Sequence, residues 1–363
     1  MGSALAHDRR GGGPVIARPG AIRVMVIDDS ITARSALSRT IEARRDMTVV
    51  ATAGSAEVGL ELLDDRTADV ILLDLEMPGM GGLKALPAIL AKANGAKVLV
   101  VSTLTTRGAE PTLAALAMGA ADTLAKPSSG NFGEAYRGEL LGKIVALATP
   151  LRTKASQPAV RDPAPRPARS RIKPGVIAIG ASTGGIHALG RFFGALPQAV
   201  NVPILVTQHL PEAFMPVFAR QIASMSGRAA MVAEEGMPLR PGEVMIAPGD
   251  GHLMLKEGPD GPVATIGRFD APSGCRPSVD PMLESVAAHY RSAGCGVVLS
   301  GMGRDGTLGA RILGDAGGLL LAQDEESCAV FGMPRGIVEA GLSAETSPPE
   351  RLAAFIAARA GAA

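Results

Sequence analysis

Residues 22–30 read IRVMVIDDS, and residues 69–80 read DVILLDLEMPGM. Each is a short, apolar, β-rich run that ends on aspartate: Asp28 and Asp29 in the first, Asp74 in the second. Three further runs of this kind are 48-TVVATA-53, 97-KVLVVS-102 and 122-DTLAK-126. Helix-sized segments such as 31–44 and 56–65 separate them. Apolar strands alternating with helices predict a parallel sheet covered on both faces, a doubly wound α/β domain over 22–148.

In such a sheet, ligands bind beyond the carboxyl ends of the strands. Asp28 and Asp29 close the first strand here, Asp74 the third, Ser102 the fourth and Lys126 the fifth, with Pro127 holding the chain rigid after it. Carboxylates within ~4 Å of one another repel by roughly 4 kcal/mol at an effective dielectric near 20. Asp28, Asp29 and Asp74 around one crevice therefore call for a cation, and oxygen ligands select Mg²⁺. An aspartate flanked by Mg²⁺, a lysine and a hydroxyl is equipped to become an acyl phosphate. Any one of these aspartates could instead cap the following helix. Five groups at four strand ends point to the chemistry rather than to caps.

Residues 1–21 read as a disordered leader rich in Gly, Pro and Arg, without the apolar core of a signal peptide. Ala6 stands where a myristoylation motif requires Ser or Thr. Residues 149–173 are crowded with Pro and Arg and show no apolar periodicity, which predicts an extended linker. Pro and Ala outweigh Lys there and aromatics are missing, against a nucleic-acid arm. Across the 363 residues, 36 Lys and Arg balance 35 Asp and Glu, so no strong field draws the chain to nucleic acid or anionic membrane. No apolar run approaches the ~20 residues of a membrane span. Cys275, Cys295 and Cys328 are odd in number and lack metal-type spacing, which suits a reducing cytoplasm.

A second α/β region is predicted over 174–358, with a short tail after it. Its strands are expected at 175–180, 203–208, 243–248, 263–267, 295–300 and 318–323, with 240–270 resembling a β-meander. The first strand runs into 180-GASTGG-185 and then a helical stretch. That loop satisfies G-x-S-x-G and presents the Ser182 hydroxyl at a helix N-terminus, where the dipole favours an oxyanion. A serine there could also merely cap the helix. Serine needs a base, and His209 follows the strand 203-PILVTQ-208 directly. His187 is the rival, but its helical position should face away from Ser182. His252 and His289 read as ordinary surface or packing histidines. Asp305, in 300-SGMGRDG-306, stands at a third strand end and can orient the base. Backbone amides of Thr183 and Met302 are candidate oxyanion donors. A competing pattern is G-x-G-x-x-G at Gly301, Gly303 and Gly306, with Asp324 about 20 residues on, as in dinucleotide sites. Asp305 would then lie where the pyrophosphate binds, a repulsion of about 4 kcal/mol at ~4 Å.

The segments VIDDS, LLDLEMPGM, VVST and AKP, over about 22–145, resemble a response-regulator receiver domain. IGASTGG, TQHLP, IAPGDGHL, CRPSVDPMLES and LSGMGRDG, over about 174–358, resemble the catalytic domain of chemotaxis protein-glutamate methylesterases. The order Ser, His, Asp departs from that of α/β-hydrolases. The resemblance implies that Asp74 is the phospho-acceptor, that Asp28 and Asp29 hold Mg²⁺ with the Glu76 carbonyl, and that Ser102 and Lys126 are switch residues. It also implies a Ser182–His209–Asp305 triad that cleaves glutamyl methyl esters on chemoreceptors without a cofactor, together with glutamine deamidation. A histidine kinase would be the phosphodonor, and the unphosphorylated receiver would cover the crevice. Gly81 replaces a common Asp of the receiver pattern, and Thr123 stands where an aromatic switch residue is frequent. The alternative is a response regulator with a dinucleotide-binding or scaffolding output.

Overall fold

A computed structural model of the chain describes residues 20–102, 106–126, 133–148 and 172–362. Nearly all of the expected leader and linker, and Pro127, lie outside the described residues. The first unit has strands β1 (Ile22–Ile27), β2 (Met47–Ala53), β3 (Val70–Asp74), β4 (Lys97–Ser102) and β5 (Asp122–Ala125). They form one sheet in the order β2-β1-β3-β4-β5, and every pairing is parallel. The strand order reverses between β1 and β3, so a crevice opens beyond their carboxyl ends. β3 is buried along its whole length, which explains its unbroken apolar run.

Local sequence sets the helix starts. Ser30 Oγ accepts from the Ala33 amide ahead of helix Ile31–Glu42, and Ser55 Oγ accepts from Val58 ahead of Ala56–Asp65. Helix Gly82–Lys92 begins hard against β3. A Cβ at Gly82 would lie 1.9 Å from the Asp74 carbonyl oxygen, so only glycine lets this helix follow so closely.

The second unit contains β6 (Val176–Ala181), β7 (Ile204–Gln208), β8 (Ala230–Val232), β9 (Val244–Ile246), β10 (His252–Lys256) and β11 (Val263–Gly267). It continues with β12 (Gly294–Val298), β13 (Leu319–Gln323) and β14 (Glu345–Ser347). Seven of these make a parallel sheet in the order β14-β13-β12-β6-β7-β9-β8. The expected meander over 240–270 is absent. β9 joins the large sheet, while β10 and β11 form a separate antiparallel pair. β8 and β14, three residues each at the sheet edges, are too short to show a pattern in sequence. The last helix, Pro349–Ala360, runs past residue 358.

β6, β7 and β12 are buried throughout, with Ile177, Ile179, Val206 and Val297 fully inaccessible. Truncating one fully buried aliphatic side chain to alanine costs about 2–5 kcal/mol, so these strands form a stiff floor. The chain leaves β6 to β7 on one side and returns as β12 on the other. The switch point of the large sheet therefore lies at β6.

The two units touch. Helix Thr106–Met118 of the first packs on helices Gly185–Ala195 and Met215–Ser226 of the second. Gln221 Nε2 donates to the Leu113 carbonyl at 3.1 Å, and the Gly184 amide donates to the Ala121 carbonyl at 2.6 Å. No helix among the described residues is long and apolar enough to cross a membrane.

Candidate active site

Ser182, His209 and Asp305 follow β6, β7 and β12, the three strands at the switch point. In the β6–β7 register Ala181 faces Gln208, and the His209 amide donates to the Ala181 carbonyl at 3.1 Å. Ser182 and His209 are thus the next residues on neighbouring strand ends. The turn after Ser182 needs Gly184, whose φ is 77° and whose Cβ would lie 2.4 Å from that of Ala329. Gly184 is the N-cap of helix Gly185–Ala195, so the serine stands before a helix N-terminus. Ser182 and His209 line one cavity of about 400 Å³.

His209 Nε2 lies 2.8 Å from Asp305 Oδ2, and Asp305 is almost wholly buried. Because Nε2 is engaged by Asp305, a base at His209 would have to act through Nδ1, the reverse of the chymotrypsin arrangement. No hydrogen bond joins Ser182 to His209 among the described residues. Such contacts often tighten only when substrate is bound. Burial works to lower the His209 pKa, but hydrogen bonding and charge from Asp305 and from Cys275 overcome it, lifting it to about 9. Burial pushes the Asp305 carboxyl up, yet bonds from His209, Ser278 and the Val279 amide hold it at about 2. The resting pair is therefore imidazolium and carboxylate near neutral pH.

Two members of this network were not singled out by sequence. Ser278 Oγ donates to Asp305 Oδ1 at 2.6 Å, and the Val279 amide donates to Oδ2 at 2.7 Å. Ser278 is itself held by His252, whose Nδ1 accepts from the Ser278 amide at 2.9 Å. His252 Nε2 lies 2.8 Å from the Phe269 carbonyl, which fixes the proton on Nε2. His252 is fully buried, so it is no surface histidine: it anchors the loop that holds Asp305. His289 conforms better to the simple reading, lying 3.3 Å from an exposed Glu257. A hydrogen bond to a charged group contributes ~1.5–3 kcal/mol. Ser278→Ala should accordingly lower kcat about tenfold with little change in KM, and Ser278→Thr should restore much of it. Unchanged kcat in the alanine variant would remove Ser278 from the orienting network.

His187 is exposed, and its Nδ1 lies 3.2 Å from the Ala117 carbonyl of the first unit. Thr183 Oγ1 donates across the interface to Asp122 Oδ2 at 2.7 Å. Met302 is exposed in the loop that carries Asp305. The cavity also reaches Asp122, Thr123 and Lys143, so the first unit forms one of its walls.

In the first unit, one carboxylate oxygen each from Asp28, Asp29 and Asp74 lie within 4.8 Å of one another. Lys126 Nζ sits 2.5 Å from Asp74 Oδ2 and 3.3 Å from Asp28 Oδ2. The Glu76 amide donates to Asp74 Oδ1 at 3.0 Å. Burial pushes the Asp74 pKa up despite Lys126, and the two carboxylates raise that of Lys126 against the effect of its own burial. Asp28 Oδ2 is buried and makes no hydrogen bond of ordinary geometry; its one close neighbour among the described residues is the Lys126 ammonium at 3.3 Å, so it keeps lone pairs that a metal ion could share. The donor set is all oxygen, which fits Mg²⁺. Ser102 turns elsewhere: its Oγ pairs with Thr112 Oγ1 at 2.8 Å, on the helix that packs against the second unit.

Residues 177–356 match the CheB methylesterase family, and residues 24–132 match the response regulator receiver domain. A protein-glutamate methylesterase/protein-glutamine glutaminase of Maricaulis maris is 38% identical, over 89% of this chain and 92% of its own. A second, from Caulobacter vibrioides, is 40% identical over 93% of this chain and 99% of its own. The chain belongs to this methylesterase family. The crystal structure of the Thermotoga maritima CheB methylesterase catalytic domain is 36% identical, with TM-score 0.49, covering 51% of this chain and 98% of that one.

Membership leaves the dinucleotide pattern at 301–306 without a role, and the geometry agrees. Asp305 inside that loop is spent on His209, Ser278 and Val279. Asp324, the would-be ribose partner, bonds the Ser327 amide at 3.0 Å.

Proposed function

We infer that the chain demethylates glutamyl methyl esters of chemoreceptors and deamidates receptor glutamines, as a hydrolase governed by phosphorylation of its receiver domain. The observation that supports this most is the His209–Asp305 pair beside Ser182, in a cavity with the receiver as one wall. Ser182 Oγ attacks the ester carbonyl carbon while its proton passes to His209 Nδ1. The tetrahedral intermediate collapses, the C–O bond to methoxide breaks, and His209 returns the proton so that methanol leaves. Water then adds to the acyl-enzyme with His209 again as base, releasing glutamate and free serine. Asp305 stays ionised and orients the imidazole. The Thr183 and Met302 amides stabilise the oxyanion, a contribution of about 10²–10³ in kcat per donor.

In the receiver, Asp74 accepts phosphate from a histidine kinase, and Lys126 and Ser102 carry the change outward. Asp28, Asp29 and Asp74 would hold Mg²⁺, which offsets the charge of the incoming phosphoryl oxygens. A chemoreceptor substrate and a kinase phosphodonor support a cytoplasmic location. Release of methanol from methylated receptor membranes, with and without acetyl phosphate and Mg²⁺, tests the whole reading. No release under either condition would overturn it.

The base predicts a pH profile. The folded-state pKa of His209 is raised from 6.5 to about 9. Its contribution to stability is therefore complete below about pH 6.5 and fades as pH rises through about 9. Catalysis follows the opposite limb, because only the neutral imidazole can take the serine proton. kcat/KM should climb about tenfold per pH unit from roughly 7 toward 9 and then level off. A plateau beginning near pH 6.5 would show that Asp305 does not hold the proton on His209.

A further inference from the structure

We propose that His209, Cys275 and Asp305 form a Zn²⁺-binding site in the crevice, and that its occupation switches the hydrolase off. The site stands apart from the hydrolase reading; only the loss of activity rests on it. Each of the three side chains offers one donor atom, and these atoms all lie within 4.8 Å of one another. Tetrahedral zinc, with Zn–N, Zn–O and Zn–S bonds of about 2.0–2.3 Å, spaces its ligands about 3.3–3.8 Å apart. The three donors therefore need only small shifts to enclose the ion.

The donor types matter as much as the distances. An imidazole, a carboxylate and a thiolate suit zinc, whereas the all-oxygen pocket of the receiver suits magnesium. Cys275 lies in the loop between β11 and helix Val279–Tyr290; its sulfur makes a long contact, 3.9 Å, to the Ser273 carbonyl and also interacts with the His209 ring. It is half-buried, and His209 opens on the 400 Å³ cavity, so an ion has a route in. Asp305 arrives already oriented by Ser278 and the Val279 amide, the kind of outer support that strengthens a metal ligand. Three protein donors leave the fourth tetrahedral position to water.

Zinc takes Cys275 as a thiolate and displaces the proton shared by His209 and Asp305, which buffer takes up. Zinc affinity should therefore rise with pH. A metal in place of that proton occupies the histidine and removes the base that Ser182 requires. The other two cysteines cannot substitute, since Cys295 and Cys328 are buried in the core.

The test uses the full-length protein in excess Mg²⁺, which keeps the receiver carboxylates occupied, with Zn²⁺ titrated against a chromophoric chelator. One Zn²⁺ per chain is expected. Cys275→Ser, Cys275→Ala and His209→Gln should each weaken it about tenfold or more. Co²⁺ in place of zinc should give a thiolate-to-metal charge-transfer band that vanishes in both Cys275 variants. Methanol release, taken as a fraction of each protein's own zinc-free rate, should be inhibited in the parent and escape inhibition in Cys275→Ser. Absence of saturable binding, or affinity unchanged in all three variants, would overturn the site. Zinc bound as described by a protein that never releases methanol would leave the site standing and remove the hydrolase reading instead.

Discussion

Ser182→Ala should lower methanol release from methylated receptors by about 10⁴–10⁶-fold, the scale on which hydrolytic triads fail when the nucleophile is lost. The fold should survive, because the Ser182 side chain bonds no described residue. Its amide and carbonyl hold the loop instead, through Ser300 and through Gly185 and Gln208. Far-UV circular dichroism and the phosphorylation rate of Asp74 should match the parent. His209→Gln should be comparably disabling, since the same step loses its base. His187→Gln should retain the chemistry, because among the described residues the hydrogen bond of that ring goes to the Ala117 carbonyl across the interface. Near-parental activity in Ser182→Ala would end the assignment of the nucleophile. Loss confined to the His187 variant would move the base to that residue.

The parts of this site that sequence reveals are those carried by strand ends. β6, β7 and β12 are continuous apolar runs, so the residues after them must emerge at one edge of a parallel sheet. That geometry alone brings Ser182, His209 and Asp305 to the same edge. The supporting residues are invisible for the opposite reason. Ser278 reaches Asp305 from a loop 27 positions earlier, and His252 reaches Ser278 from the short strand β10. Neither contact has a periodic signature, and both depend on how the β10–β11 pair lies against the large sheet. Cys275 escaped for a related reason. Its metal partners are distant in sequence, so spacing between cysteines says nothing about it. Asp122 opens a strand instead of closing one, and its bond to Thr183 exists only through the docking of the two units.

Deleting residues 1–173 should raise basal esterase activity by about 5–150-fold, the usual range of a coupling between sites. The receiver does more than stand nearby. Its Ala121 carbonyl takes the Gly184 amide at 2.6 Å, and Asp122 Oδ2 takes the Thr183 hydroxyl at 2.7 Å. Thr183 and Gly184 directly follow Ser182, so docking fills polar groups beside it while walling its cavity. Lys143 also bonds Asp122 Oδ2, at 2.7 Å, which anchors that carboxylate to the receiver. A hydrogen bond to a charged group contributes ~1.5–3 kcal/mol, and about 1.4 kcal/mol corresponds to tenfold in an equilibrium. Asp122→Ala in the full-length protein should therefore shift the population toward the open form and raise basal activity about tenfold or more. It lies only in the receiver, so the truncated enzyme provides the fully released rate against which the shift is read. Asp74→Asn should stay at the low basal rate with acetyl phosphate and Mg²⁺ present, because an amide cannot accept the phosphoryl group. Phosphate can act only by favouring the open form, and the ratio of activated to basal rates measures that preference. Ser102 offers a route: its hydroxyl holds Thr112, on the very helix that packs against the catalytic unit. Ser102→Ala should still take up phosphate at Asp74 yet show weakened activation. A truncated enzyme no faster than the unphosphorylated full-length protein would mean that docking does not restrain Ser182, and the contacts at Ala121 and Asp122 would then serve assembly alone.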